Sequence, residues 1–295
     1  MHLNPSTNLL PVELDPVRRD GPRLPHFGRC FGRVDGELAA VAEGAGGAHE
    51  EHHLLPAAAV DAALRAFIGS PRFPCVGAKS AINRDAYRFG IYDDLRDADD
   101  VHRLAGHLAG FARDADRLRG DGGFSTFMAV FMRPAVSDEA AFERLLWAAL
   151  SRLHQVDRHA PDPSVSSDPD DPHFSFSVGG RAFFVVGLHP GASRHARRFC
   201  WPTLVFNPHD QFERLREERK METMQKAIRA RDVKLQGDIN PNLADFGEMT
   251  EARQYSGRPV GKDWTPPVDL DAPADRDASA EAEPKRGRCP FGFDK

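Results

Sequence analysis

The stretch that most constrains this chain is His173–Leu188, HFSFSVGGRAFFVVGL. Phe174, Phe176 and Val178 alternate with Ser175 and Ser177, the two-residue period of a strand with one buried face. Gly179-Gly180 follows, and two glycines between such runs supply the positive-φ turn of a tight hairpin. Arg181–Leu188 then runs apolar on both faces, which predicts a strand central in its sheet. An antiparallel hairpin at the heart of the sheet predicts an α+β fold: a largely antiparallel central sheet with flanking helices. No glycine-rich nucleotide-binding loop follows a strand, so nucleotide-binding readings start weak.

The other elements follow from periodicity. Ala59, Val60, Ala63, Leu64 and Phe67 form a helical stripe opening near Pro56. Tyr87–Tyr92 reads as extended, and Val101, Leu104, Leu108, Phe111 and Leu118 lie on one face of a helix. His102 and His107 on that helix read as surface or core-edge residues. Phe124–Met132 suits a buried strand, and Ser137 is placed to cap the helix that buries Phe142, Leu146 and Leu150. Thr203–Phe206 predicts a further strand, after which either Asn207 or Asp210 caps a long charged helix. These elements divide the chain into a variable N-terminal segment (1–55), one domain (56–268) and a disordered tail (269–295) ending in Cys289-Pro290-Phe291.

Composition narrows the function classes. A net charge of -5 argues against general nucleic-acid binding. No apolar run approaches the roughly 20 residues that span a bilayer, and the N-terminus has no signal-peptide pattern. The cysteines, at 30, 75, 200 and 289, have no CxxC pairing and read as free thiols in a cytoplasmic chain.

Two histidines draw attention because each follows a strand. His189 ends the Arg181–Leu188 strand, His209 follows Thr203–Phe206, and the loop between them carries Arg194, Arg197 and Arg198. The expectation is one sheet edge bearing two imidazoles and three guanidinium groups, a site for an anionic cofactor. His209 sits at a helix start, where the positive helix end keeps an imidazole neutral, as a metal requires. The plain readings are a backbone-bonded strand-end histidine and a capping one. Cys75 lies in the Pro-rich turn FPCVGAKS near Lys79, where a cation and free backbone N–H groups would favour a thiolate. A buried structural cysteine is the plainer account. His49–His53 spells H-E-x-x-H, the zinc-protease pattern, yet a glycine-rich run precedes it and Pro56 follows closely. Without a long supporting helix it reads as a chance match in a polar loop, and a zinc hydrolase built on His49 and His53 leaves the 181–213 cluster unexplained. The segment 235–257 keeps apolar anchors among turn residues, and a loop this long carries function more often than not.

The phrases FPCVGAKSAIN (73–83), LHPGASRHARRF (188–199), PTLVFNPHDQFERLR (202–216), LQGDINPNLADFGEMTEARQYSGR (235–258) and RCPF (288–291) resemble the YqcI/YcgG family. The resemblance covers most of residues 55–265 and implies haem-dependent N-oxygenation of a guanidine or amine nitrogen in a small amino-acid-like substrate. It implies haem b, for which His209, His189 and Cys75 are the candidate ligands and Arg194, Arg197 and Arg198 the candidate partners of the propionates. Asp245, Glu248 and Glu251 are then candidates to hold the cationic substrate, with solvated loop acids the competing account. O2 and an external electron donor complete the reaction, because the chain has no flavin or nicotinamide signature. A haem-binding sensor or carrier, with Cys289 as a regulatory ligand, is the alternative.

Overall fold

The computed structural model describes residues 27–41, 51–243, 247–261, 263–267 and 270. One seven-stranded sheet organises them, in the order β2-β1-β3-β4-β7-β6-β5. The strands are β1 (Arg29–Val34), β2 (Glu37–Ala40), β3 (Tyr87–Asp94), β4 (Thr126–Arg133), β5 (Phe176–Val178), β6 (Arg181–Leu188) and β7 (Thr203–Pro208). Only the β3–β4 pair is parallel, and the other five pairings are antiparallel, as an α+β domain requires.

The Gly-Gly hairpin is present, with Gly179 and Gly180 at φ 64° and 76°, the values of a type I′ turn. It does not stand at the centre: β5 is a three-residue edge strand and β6 its only inner neighbour before β7. The centre is β4, whose first six residues are buried. The chain also begins its domain earlier than residue 56. Asp35-Gly36, at φ 51° and 81°, closes a second hairpin of this type, and β1 pairs with β3. The tail, His49 and Asp245 lie outside the described residues.

Helices cover both faces: α1 (Glu51–Gly69), α2 (Val76–Asn83), α3 (Ala98–Arg119), α4 (Glu139–Val156), α5 (Asp210–Glu217), α6 (Met221–Gln236) and the single turn α7 (Ala252–Tyr255). Phe111, Phe142, Leu146, Trp147 and Tyr255 from α3, α4 and α7 bury one face together with Phe127, Phe183 and Phe206. Val60, Leu64 and Phe67 from α1 bury the other with Phe31, Phe89, Met128 and Phe199. Helix α1 starts five residues before Pro56 and carries that proline inside, so Pro56 does not close the H-E-x-x-H letters off from a helix. Asp138, rather than Ser137, caps α4 by accepting the Ala140 N–H. The long helix expected from 208 breaks in two at Arg219, which adopts φ 56°. Neither Asn207 nor Asp210 caps α5; β7 runs to Pro208, and His209 precedes the helix with no side-chain cap bond.

Candidate functional site

The antiparallel return from β6 to β7 separates the two histidines. Leu188 lies opposite Thr203 and Phe183 opposite Pro208, while the His209 N–H binds Ala182 O at 2.9 Å. His189 and His209 therefore sit at opposite ends of the strand pair, about seven strand residues or roughly 20 Å apart. One metal or one porphyrin cannot take both. The expected common edge is wrong because consecutive strand ends share an edge only when the strands are parallel.

At the His189 end the backbone loop is tightly held. The imidazole is fully buried, stacked on Phe142 with ring centroids 4.3 Å apart, and neither ring nitrogen finds a hydrogen-bond partner. Burial, reinforced by the Arg197 charge, lowers its pKa to about 4, so it is neutral. The three arginines differ. Arg194 is buried and paired with both Asp232 and Asp238, which ties the loop to α6 and its end. Arg198 donates to Ala192 O at 2.9 Å and Ser193 O at 3.3 Å, fastening its own loop. Arg197 meets carbonyls only: Gly187 O at 3.1 Å, Tyr255 O at 3.2 Å and Gln254 O at 3.0 Å. Withdrawal from water without a bonded carboxylate pulls its pKa down to about 10. An arginine in that state is suited to an anion.

Cys75 is the neighbouring group. It is the N-cap of α2, and its Sγ accepts the Ala78 N–H at 3.4 Å, so the expected backbone donor is present. Lys79 plays a different part from the one expected, since its ammonium binds Pro71 O at 3.2 Å. Burial pushes the thiol pKa up, and the N–H groups of Ala78 and Gly77 and the charges of Arg197 and Arg231 oppose it. Arg231 also lines a cavity of about 450 Å³ with Pro71, Arg72 and Lys234, between the α1–α2 turn and α6. Among the described residues no ion pair is formed by Arg72, Arg231 or Lys234, and burial and the Arg231 charge lower the Lys79 pKa. A chain of net charge -5 thus gathers like-charged cations around one hollow. The small cavity beside Pro190, Cys200 and Trp201 is only about 90 Å³.

The acids of the 235–257 segment fall into two environments. Glu248 is exposed, as a solvated loop acid would be. Glu251 is buried and accepts hydrogen bonds from Ser175 Oγ at 2.8 Å and Tyr255 Oη at 2.7 Å. Burial raises its pKa to about 8, so it is a neutral carboxylic acid at neutral pH. His209 stands beside it, with Nδ1 3.8 Å from Glu251 and Nε2 3.0 Å from Glu213. Burial lowers the His209 pKa, consistent with the neutral imidazole expected there. Among the described residues no group of three or more His, Cys, Asp and Glu converges to hold a metal ion.

The profile of the YqcI/YcgG family matches residues 64–269. The chain belongs to the YqcI/YcgG family. Two relatives from Bacillus subtilis (strain 168) align over 193 residues, 62% of this chain and 75% of theirs: YcgG at 28% identity and YqcI at 26%. No solved structure matches. The family span of this YqcI/YcgG protein contains Cys75, His189, Arg197, His209 and Glu251, and leaves β1, β2 and the His49 motif outside. No helix among the described residues is long and apolar enough to cross a membrane. Sequence reasoning missed Arg72, Arg231 and Lys234, which lie in the α1–α2 turn and on α6 and which no local pattern joins.

Proposed function

We propose that this YqcI/YcgG protein is a haem-dependent N-oxygenase that hydroxylates a guanidine or amine nitrogen of a small amino-acid-like substrate. The observation that carries the reading is the setting of Cys75, a capping thiol acted on by Arg197 and Arg231 next to a cation-lined cavity of about 450 Å³. Ligand sites commonly run from about 300 to 1,000 Å³, which admits a macrocycle to this hollow and refuses it to the cavity beside Pro190.

The charges suit haem's carboxylates: Cys75, beside the cavity rather than in its lining, would hold the iron, and Arg72, Arg231 and Lys234 would hold the two propionates. A porphyrin iron needs a single protein ligand, so a three-residue metal cluster is not required of the chain. When bound, thiolate-ligated haem supplies O2 activation, with sulfur donation favouring O–O cleavage. The protein's own contribution is to oppose the burial that raises the thiol pKa: the Ala78 N–H donates to Sγ, and the Arg197 and Arg231 charges favour its thiolate form. Cys75 would have to give up its proton to hold the iron, which a bound metal favours. The positive lining repels a guanidinium or ammonium group, so it suits the cofactor's carboxylates rather than the reacting nitrogen. Electrons come from outside the chain, and an electron-donor protein is the partner this reading requires.

Titration of the purified protein with hemin should give a Soret band, and its reduced carbon monoxide complex should show the red-shifted band of thiolate ligation. Incubation with arginine or another guanidino compound, O2 and a reductant should then give an N-hydroxylated product. No Soret band overturns the reading. A Soret band without turnover of any guanidino or amino substrate identifies a haem sensor or carrier instead.

A further inference from the structure

The Glu251 network is not consumed by the proposed chemistry, yet it touches the cysteine site through one residue. Tyr255 faces two ways. Its hydroxyl meets Glu251, accepts the Phe176 N–H at 3.1 Å and lies 3.4 Å from Phe183 O. Its ring packs on Trp147, Phe174 and Phe184 at centroid distances of 5.8, 6.0 and 5.9 Å. Its carbonyl, with that of Gln254, receives the guanidinium of Arg197. These are the C-terminal carbonyls of α7, which a helix leaves without internal partners and which carry its negative end.

We propose that Glu251 and Tyr255 are positioning residues: the pair latches α7 onto β5 and β6, and α7 in turn holds Arg197 beside Cys75. The functional weight of that latch rests on the Cys75 reading, but the latch itself does not.

The groups facing Glu251 explain why its neutral form is needed. Ser175 and Tyr255 spend hydroxyl protons on Oε1. Across the gap stands His209, held neutral by burial, and behind it Glu213 from α5, whose charge is taken by Arg216. Asp162 acts on His209 from the loop before β5. Among the described residues no cation hydrogen-bonds Glu251: the Ser175 and Tyr255 hydroxyls and the more distant Arg216 charge favour its ionised form, and burial and the Glu213 charge oppose it and prevail. With the carboxyl shifted to about 8, that event falls just above neutral pH.

The test uses cofactor-free protein, so it reads the latch whether or not haem binds. Hydrogen exchange of the 250–258 peptide, corrected for intrinsic rates, is followed from pH 6.5 to 9.5 in wild type, E251Q and Y255F. Wild type should lose protection near pH 8; E251Q, which cannot ionise, should keep it throughout; Y255F should be less protected at every pH. The alkylation rate of Cys75, read by peptide mass spectrometry, reports Arg197. R197A should slow it at neutral pH by a few-fold, because it removes a charge that favours the thiolate. Y255F should slow it in the same direction, and Y255F/R197A should be no slower than R197A alone. Retention of the wild-type alkaline loss in E251Q overturns the proposal, as does strict additivity of Y255F and R197A.

Discussion

The two ends of the β6–β7 strand pair differ in how completely their buried charge and polarity are answered. At the His209 end, Glu251 has Ser175 and Tyr255, and the His209 ring has Glu213 on Nε2, with Nδ1 standing 3.8 Å from Glu251. At the other end, among the described residues, Arg197 has only carbonyls and neither ring nitrogen of His189 is hydrogen-bonded, while three exposed cations gather at the nearby cavity. Buried polar groups in a finished interior are hydrogen-bonded, and those left wanting mark strain or a missing ligand. The better-answered end behaves as framework, the other as a site.

Removing Cys75 should break that contrast most completely. C75S keeps an N-cap acceptor for Ala78 yet removes the sulfur, so the fold should survive while the thiolate-type spectrum disappears. N-hydroxylation should fall at least about 100-fold, within the range by which lost ligand or transition-state contacts cut activity. H209N, at the framework end, should leave the spectrum unchanged. A spectrum lost in H209N and kept in C75S would reverse the assignment of the two ends.

The cation cluster should give a middle-sized effect. R231A/K234A removes two of the three lining charges, and hemin affinity should fall about tenfold, or roughly 1.4 kcal/mol. The loss should shrink as salt rises, because these groups are exposed and screened. Arg194, already paired with Asp232 and Asp238, should show little of this binding effect if substituted, and its loss should appear as lowered stability.

What was legible in the sequence was local. The Gly179-Gly180 turn, the stripe of Val101–Leu118 and the capping place of Cys75 depend on neighbours in the chain, where residue chemistry speaks directly. Asp35-Gly36 carries the same hairpin signal as Gly179-Gly180, but lay in a stretch whose polar composition masked it. The failures were long-range. Two strand-end histidines in sequence say nothing of edge until the pairing direction is known, and β7 runs antiparallel to β6. Glu251 reads as a loop acid because its burial depends on Ser175, 76 positions away. The cation cluster joins residues 72 and 231–234, which only the packing of α6 against the α1–α2 region brings together.

A sharper comparison comes from pH, because the two ends titrate in opposite senses. Glu251 has a folded pKa near 8 against an ordinary value of 4.5. Between those values the unfolded chain has released a proton that the folded one keeps, so stability falls as pH rises through that window. E251Q should flatten this alkaline slope in denaturant titrations at successive pH values. An unchanged slope would show that Glu251 is not the group responsible.

His189 should supply the smallest effect and the opposite sign. Its folded pKa near 4 lies below the ordinary 6.5, so between those values the unfolded chain binds a proton that the folded one refuses. Stability should therefore be lost as pH falls from 6.5 towards 4. A non-titrating aromatic in its place, H189F, keeps a ring against Phe142 and should reduce that acid slope, while leaving the alkaline slope of Glu251 intact. The residual slope belongs to the paired carboxylates, such as Asp94 and Asp116, whose lowered pKa values cost stability on acidification in the same direction. Because those carboxylates respond below their ordinary 3.8, the measurement that isolates His189 is the change in slope between pH 5 and 6.5. An H189F slope there equal to the wild-type one would mean that the imidazole is protonated in the folded protein, which only a partner supplied to its ring nitrogens could allow.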